Sequence, residues 1–243
     1  MTATAPTTAE AAIVELRQYT LHPGRRDELV TLFDREFVEP QEALGMKVMG
    51  QFRDLDAPDR FVWLRGFRDR AARLHGLQSF YGGPVWAKHR DAANATMIDS
   101  DDVLLLRPAW PGAELRLREP RGDGNAPATG LLDAAVFHLA RPADEALLQL
   151  ARGPLSACLE TGGALWTAWY VTDTTPNDFP RLPVREGTKV LAGFALFPDA
   201  AAFDAFAASG RWSREAAPLL APWLQGAPEL RRLAPTSRSA IRA

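Results

Sequence analysis

The feature that most constrains the fold is a repeated order of elements. Residues 13–107 and 131–235 carry the same succession of strand, helix, strand, strand, helix and strand. In the first stretch Ile13 to Tyr19 alternates as a half-buried strand does. Leu21-His22-Pro23-Gly24 breaks it, and Leu29, Phe33 and Phe37 then fall at i, i+4 and i+8, one apolar helix face. Val48 to Phe52 and Phe61 to Phe67 read as the second and third strands. A helical region follows, broken at Tyr81-Gly82-Gly83-Pro84 and restarting with Pro84 near its first position. Val103 to Leu106 closes the unit. In the second stretch Asp133–Leu139, Trp166–Tyr170, Val190–Phe197 and Leu230–Leu233 take the strand positions, and Phe203 and Phe206 lie on a helix. Each third strand runs into Phe-x-Asp, at Phe67–Asp69 and at Phe197–Asp199.

The order βαββαβ is the ferredoxin-like arrangement, of the α+β class. A four-stranded antiparallel sheet with both helices on one face leaves its other face open, and two such sheets can stack those faces and close a barrel. The expected organisation is a flexible tail at 1–12, a first ferredoxin-like repeat at 13–107, a linker at 108–130, a second repeat at 131–235 and a tail at 236–243. The linker is read from Pro and Gly, which interrupt every candidate element there.

Composition narrows the function classes. Among 243 residues, 28 Lys and Arg against 30 Asp and Glu leave a formal charge of −2, no bulk field for nucleic acid or an anionic membrane. Only Lys47, Lys88 and Lys189 are lysines; the excess of Arg with abundant Ala reads as the coding bias of a GC-rich bacterial genome. Cys158 is the single cysteine, which excludes an intrachain disulfide and a Cys-based zinc cage, and its apolar neighbours read as core. No apolar run approaches the roughly 18 residues of a membrane span. Met1 to Ala12 lacks the basic residues of a secretory or transit signal, so a cytoplasmic location is expected.

The run from Ile13 to Arg25, with Glu15-Leu16-Arg17, Tyr19, Leu21 and Pro23-Gly24-Arg25, resembles the opening signature of the NIPSNAP family, E-L-R-x-Y-x-L-x-P-G-[KR]. The similarity continues through Phe80–Trp86 and His89–Ser100 to Val103–Pro108. The resemblance implies a dimeric-α/β-barrel-type structure built from the two tandem repeats, and it favours a homodimer over a barrel closed within one chain. It implies no single reaction, because the wider superfamily includes cofactor-free monooxygenases, isomerases, cyclases, haem-degrading enzymes and stress-response proteins. The animal family members are associated with mitochondria and protein interaction. The second half departs from the signature: Ala135 stands for Arg17, Pro142 for Gly24 and Ala195 for Arg65. That places the polar groups of any site in the first half.

Alternation sets Glu15, Arg17 and Tyr19 on one strand face, and Trp63, Arg65 and Phe67 together on another. With Val14 and Leu16 packed under helices, Glu15, Arg17, Tyr19, Trp63 and Arg65 point into the barrel seam. Arg17 or Arg65 could there bind a carboxylate or enolate between the aromatic walls of Tyr19 and Trp63. Alternatively, Glu15 pairs with Arg17 or Arg65 and registers the sheets; motifs shared across a functionally mixed superfamily favour this structural role. His89 and Tyr19 are the candidate proton-moving groups, and Tyr81 at the helix break is a candidate ligand contact. Surface or packing roles compete for His89, and a core role for His138. The acidic run Asp99–Asp102 reads as a solvated turn, and no metal or other cofactor is expected.

The expectation is a small-molecule pocket, with cofactor-free proton transfer, rearrangement or oxygenation of a small carbonyl or aromatic compound. Its rivals are a non-catalytic binder of haem or a hydrophobic metabolite, and an interaction module without a pocket. An open pocket favours the first, and a cavity filled by large apolar side chains the last.

Overall fold

The computed structural model describes residues 7–8 and 10–243; the rest of the expected tail at 1–12 lies outside the described residues. Eight strands form one closed antiparallel barrel: β1 (Ile13–Leu21), β2 (Lys47–Asp54), β3 (Arg60–Phe67), β4 (Met97–Pro108), β5 (Leu131–His138), β6 (Trp166–Thr172), β7 (Val190–Phe197) and β8 (Glu229–Pro235). The order around it is β8-β2-β3-β1-β4-β6-β7-β5. Each half contributes a ferredoxin-like sheet, β2-β3-β1-β4 and β6-β7-β5-β8. Two seams join them: Leu106↔Thr172 to Pro108↔Tyr170 between β4 and β6, and Leu233↔Asp54 to Pro235↔Phe52 between β8 and β2. Closure leaves no barrel strand with a free edge. It is achieved within a single chain, so the open sheet faces need no second copy to cover them.

Helices cover the outside. The first half carries α1 (Arg26–Glu36), α2 (Val38–Glu42), α3 (Arg70–Tyr81) and α4 (Pro84–Asn94). The second carries α5 (Glu145–Leu150), α6 (Ser156–Thr161), α7 (Ala200–Ala208) and α8 (Ala217–Leu220), with π-type turns at Ala151–Leu155 and Trp212–Ala216. The repeated Phe-x-Asp is a helix start. Asp69 accepts from Ala72 N at 2.7 Å and Asp199 from Ala202 N at 2.8 Å, each holding a free amide of the first turn.

The two faces of β1 are the reverse of the expected ones. Val14 and Leu16 point into the lumen, where they meet Val62, Leu64, Leu104 and Leu106 of the first half and Leu132, Val136, Tyr170 and Phe194 of the second. Glu15, Arg17, Tyr19, Trp63 and Arg65 point outward beneath the first-half helices. The reason is solvation: the closed lumen is apolar, whereas the helical layer supplies polar partners. Alternation sorts a strand into two faces without saying which is which.

Linker and C-terminal segment are packed parts of the barrel. Leu115 and Leu117 join the lumen cluster with Ala240 and Ile241, all nearly inaccessible. Ile241 N donates to Met49 O at 3.1 Å and Arg118 N to Ala240 O at 2.8 Å, and Arg116–Leu117 pairs with Thr7–Thr8. Ile241→Ala should therefore lower stability by about 3 kcal/mol, as a buried large-to-small change does, read from the urea midpoint.

Candidate functional site

In the first half the layer between sheet and helices is a charged knot. Glu15 Oε2 accepts from Arg65 Nη2 at 2.6 Å and Nε at 3.1 Å, and from Arg17 Nη1 at 3.1 Å, while Oε1 accepts from Arg73 Nε at 2.9 Å. Arg65 Nη1 reaches Gln41 Oε1 at 2.8 Å, and Arg17 Nε donates to the Tyr19 hydroxyl at 3.0 Å. Trp63 lies against both guanidinium groups, 4.9 Å from Arg65 and 5.6 Å from Arg17. All four charged side chains are essentially inaccessible. Burial opposes ionisation of Glu15, yet Arg65, Arg17 and Arg73 together hold its carboxyl far below the usual range. The pairing joins neighbouring strands of one sheet to α3, so it does not register one sheet against the other.

This layer is also closed from outside. The loop 173–189 between β6 and β7 crosses onto α3, where Arg73 binds Asp178 and Asn177, and Arg70 Nη2 donates to Thr175 O at 2.7 Å. Phe179 is buried there, with its ring 6.1 Å from that of Tyr81. Tyr81 itself lies 5.9 Å from the Arg65 guanidinium. The structure thus gathers Glu15, Arg17, Tyr19, Trp63, Arg65 and Tyr81. His89 stands apart from them, mostly covered between α1 and α4, its Nε2 3.3 Å from Glu36 Oε2 and its ring edge-on to Phe37.

The second half hollows out the equivalent layer. Strand pairing aligns Glu15↔Arg65 with Asp133↔Ala195, and Arg17↔Trp63 with Ala135↔Gly193. Three of the largest first-half side chains are thus replaced by two alanines and a glycine. Trp169 leans over Gly193, where a Cβ would come within 2.6 Å of its ring, and it recovers part of that volume. Its Nε1 is held by Ser156 Oγ at 2.8 Å. What remains is a cavity of about 220 Å³. Asp133, Ala135, Gly193 and Ala195 line its sheet side, and Phe137, Trp169, Phe203, Phe206 and Trp212 form aromatic walls. Phe137 and Trp212 stack at 6.0 Å, and Trp212 opens the second π-type turn, a distortion frequent at functional sites. The counterpart of the covering loop, 55–59 between β2 and β3, is too short to close the layer.

Among the described residues Asp133 is the one ionisable side chain lining this cavity. Burial alone pushes its carboxyl up to about 7, with no cation or hydrogen bond acting on it. Its cross-strand neighbour Arg232 turns away, donating to Asp56 Oδ1 at 2.6 Å and to Asp204 Oδ1 at 3.3 Å. An isolated carboxyl titrating near neutrality inside an aromatic cavity is the arrangement of a proton-moving group. A larger cavity of about 380 Å³ lies under the loop 173–189, but Arg107, Arg185, Lys189, Asp173, Glu186 and threonines line it and no aromatic wall does. Among the described residues no group of three His, Cys, Asp or Glu converges as a metal site requires.

These two carboxyls predict opposite pH behaviour. A carboxyl raised in the native state contributes stability that is complete below its unfolded value and is lost as pH rises through its native value. Asp133→Asn, which cannot ionise, should therefore gain stability over the wild type as pH rises from about 4 to about 8, by on the order of 2 kcal/mol for a partly buried carboxyl. Glu15 stabilises in the opposite sense, above its unfolded value and with loss on acidification. Arg65→Ala should cost about 3–5 kcal/mol at neutral pH, because it removes the shortest ion pair of Glu15, leaves the buried Gln41 oxygen without its donor and opens a void in the layer. Urea midpoints across the pH range check both.

Residues 14–110 match the NIPSNAP family model. Among solved structures, a candidate monooxygenase from Lactobacillus acidophilus NCFM is 12% identical, with 96% of this chain and 99% of that chain covered and a TM-score of 0.58. A candidate monooxygenase from Fusobacterium nucleatum subsp. nucleatum ATCC 25586 is 8% identical, covers 96% of each chain and has a TM-score of 0.62. An anthrone oxidase-like protein is 14% identical, with 95% and 94% covered and a TM-score of 0.57. At these identities the likeness is one of fold, and it extends over both halves. No curated protein matches the sequence. Among the described residues no helix is long and apolar enough to cross a membrane. The stretch that matches the NIPSNAP family model, residues 14–110, is thus joined in one barrel to a second half that shares its fold and departs from its motif.

Proposed function

We propose that this chain is a small-molecule enzyme of the α/β-barrel type whose reaction takes place in the second-half cavity, with Asp133 moving a proton to or from a small, flat, largely apolar substrate. The observation that carries this reading is the unpaired Asp133 carboxyl in an aromatic-walled hollow, at a position whose first-half counterpart is filled and neutralised. A base poised near neutrality needs no metal to take a proton from an acidic C–H or N–H bond. The electron-rich species left behind can then rearrange or meet dioxygen. The names of the fold neighbours, candidate monooxygenases and an anthrone oxidase-like protein, support oxygenation as the continuation.

In this reading Glu15, Arg17, Tyr19, Trp63, Arg65 and Tyr81 hold the first half together, and His89 packs between α1 and α4. An interaction module without a pocket fits the first-half layer, which is filled, and not the second.

A panel of one- and two-ring aromatic compounds, titrated while tryptophan fluorescence is recorded, tests the site. Saturable quenching is expected in the wild type and at least a ten-fold weaker response in Ala195→Leu, whose added side chain occupies the cavity. Once a substrate is found, Asp133→Asn should lose at least a hundred-fold in turnover, the scale of general base catalysis. Equal quenching in wild type and Ala195→Leu would remove the cavity from consideration.

A further inference from the structure

We infer that the second-half cavity takes an organic cation, a small substituted ammonium or iminium compound. The inference rests on the reading of that cavity as the functional site and adds the charge class of its ligand.

Among the described residues no Arg, Lys or His lines the cavity, and its polar groups are the Asp133 carboxyl, the Ser213 hydroxyl and the indole N–H groups of Trp169 and Trp212, the first of these taken by Ser156. The walls Phe137, Trp169, Phe203, Phe206 and Trp212 come from two strands, a helix and a π-type turn. Aromatic faces carry the negative part of the ring quadrupole, so a desolvated cation between them is attracted, and a carboxylate beside them adds to that attraction. Of the charged groups next to the cavity, Arg211 and Arg214 flank Trp212 and Ser213 in the chain, Arg211 drawn to Glu215 and Thr161 and Arg214 to the Ser209 carbonyl. Arg232, across the strand from Asp133, is shared by Asp56 and Asp204, two carboxylates against one guanidinium. Ala135 and Phe137 on β5, Gly193 and Ala195 on β7, Leu159 on α6 and Leu230 on β8 bring no ionisable group to Asp133.

Proton bookkeeping favours the same class. When Asp133 takes a proton from a neutral molecule, the electron pair left behind makes an anion, and the cavity has no cation to hold it, only the neutral donors of Ser213 and Trp212. When it takes a proton from carbon or nitrogen of a cation, the N–H or C–H bond breaks toward the cation and its electron pair neutralises that charge. The proton ends on a carboxylate oxygen. One carboxylate and one cation become one carboxylic acid and one neutral molecule, so no charge is left in an apolar enclosure. The first-half layer shows the contrast: its three buried guanidinium groups would repel such a ligand.

The test compares choline with 3,3-dimethylbutan-1-ol, which differ by nitrogen for carbon at one centre. Calorimetric titration of the intact chain at pH 8, where the Asp133 carboxyl is ionised, should show choline binding at least ten-fold tighter than the alcohol. That preference should fall to within about two-fold at pH 5.5 and in Asp133→Asn, while binding of the alcohol stays unchanged in the variant and certifies its fold. Ala195→Leu should lose both ligands. If the alcohol binds as tightly as choline at pH 8 and Ala195→Leu abolishes it, the cation class is overturned and the cavity reading stands. If neither probe binds better to the wild type than to Ala195→Leu, both fall. A choline preference that survives in Asp133→Asn also overturns the inference, because the carboxylate then has no part in it.

Discussion

The arrangement of polar groups in this protein follows from a barrel lumen sealed against water. Leucine, valine, alanine and phenylalanine from both sheets fill it, Leu115, Leu117 and Ile241 pack against it, and its phenol, Tyr170, is satisfied by the Leu115 amide at 3.0 Å. No charge can be placed there without losing its hydration. Along its apolar length, charged residues of the alternating strands face the helices, and the charges that share the lumen rows, Asp54, Asp102, Glu229 and Arg231, gather at one end of the barrel in ion pairs with one another and with Arg185.

The two halves use the layers between sheet and helix differently. In the first, one glutamate and three arginines fix the relation of β1, β3 and α3. Such a buried knot adds little stability over an apolar equivalent but strongly penalises any rearrangement that separates its members. In the second, Ala135, Gly193 and Ala195 remove the side chains that would fill the same space, and the aromatic residues above them stay. A hollow of this kind gives up packing contacts, and folds tolerate such departures chiefly at functional sites.

The fold was legible because its signals are local and repeated: alternation at Ile13–Tyr19, the helix face of Leu29, Phe33 and Phe37, and the paired Phe-x-Asp starts. What alternation could not supply was the direction of each face, since period two is symmetric between lumen and exterior; Val14 and Glu15 exchange places with no change in pattern. The position of the cavity was harder. Ala135 and Ala195 stood out as departures from the motif and suggested a half stripped of chemistry. Read as volume, the same substitutions make space, and Asp133 becomes conspicuous as the one member of the motif row that keeps its charge after its partners are gone. Pro, Gly and short length mark irregular backbone without saying whether it is packed, so the lumen contacts of Leu115, Leu117 and Ile241 were not legible in the sequence.

Joining unlike halves in one polypeptide has a consequence for stoichiometry. A barrel assembled from two identical chains carries every substitution twice, so a change that hollows one layer hollows the other and removes both charged knots together. Here the knot and the hollow coexist. Among the described residues there is one such aromatic cavity per barrel, so a ligand bound there would follow a single hyperbola with no like cavity in the same barrel to couple to.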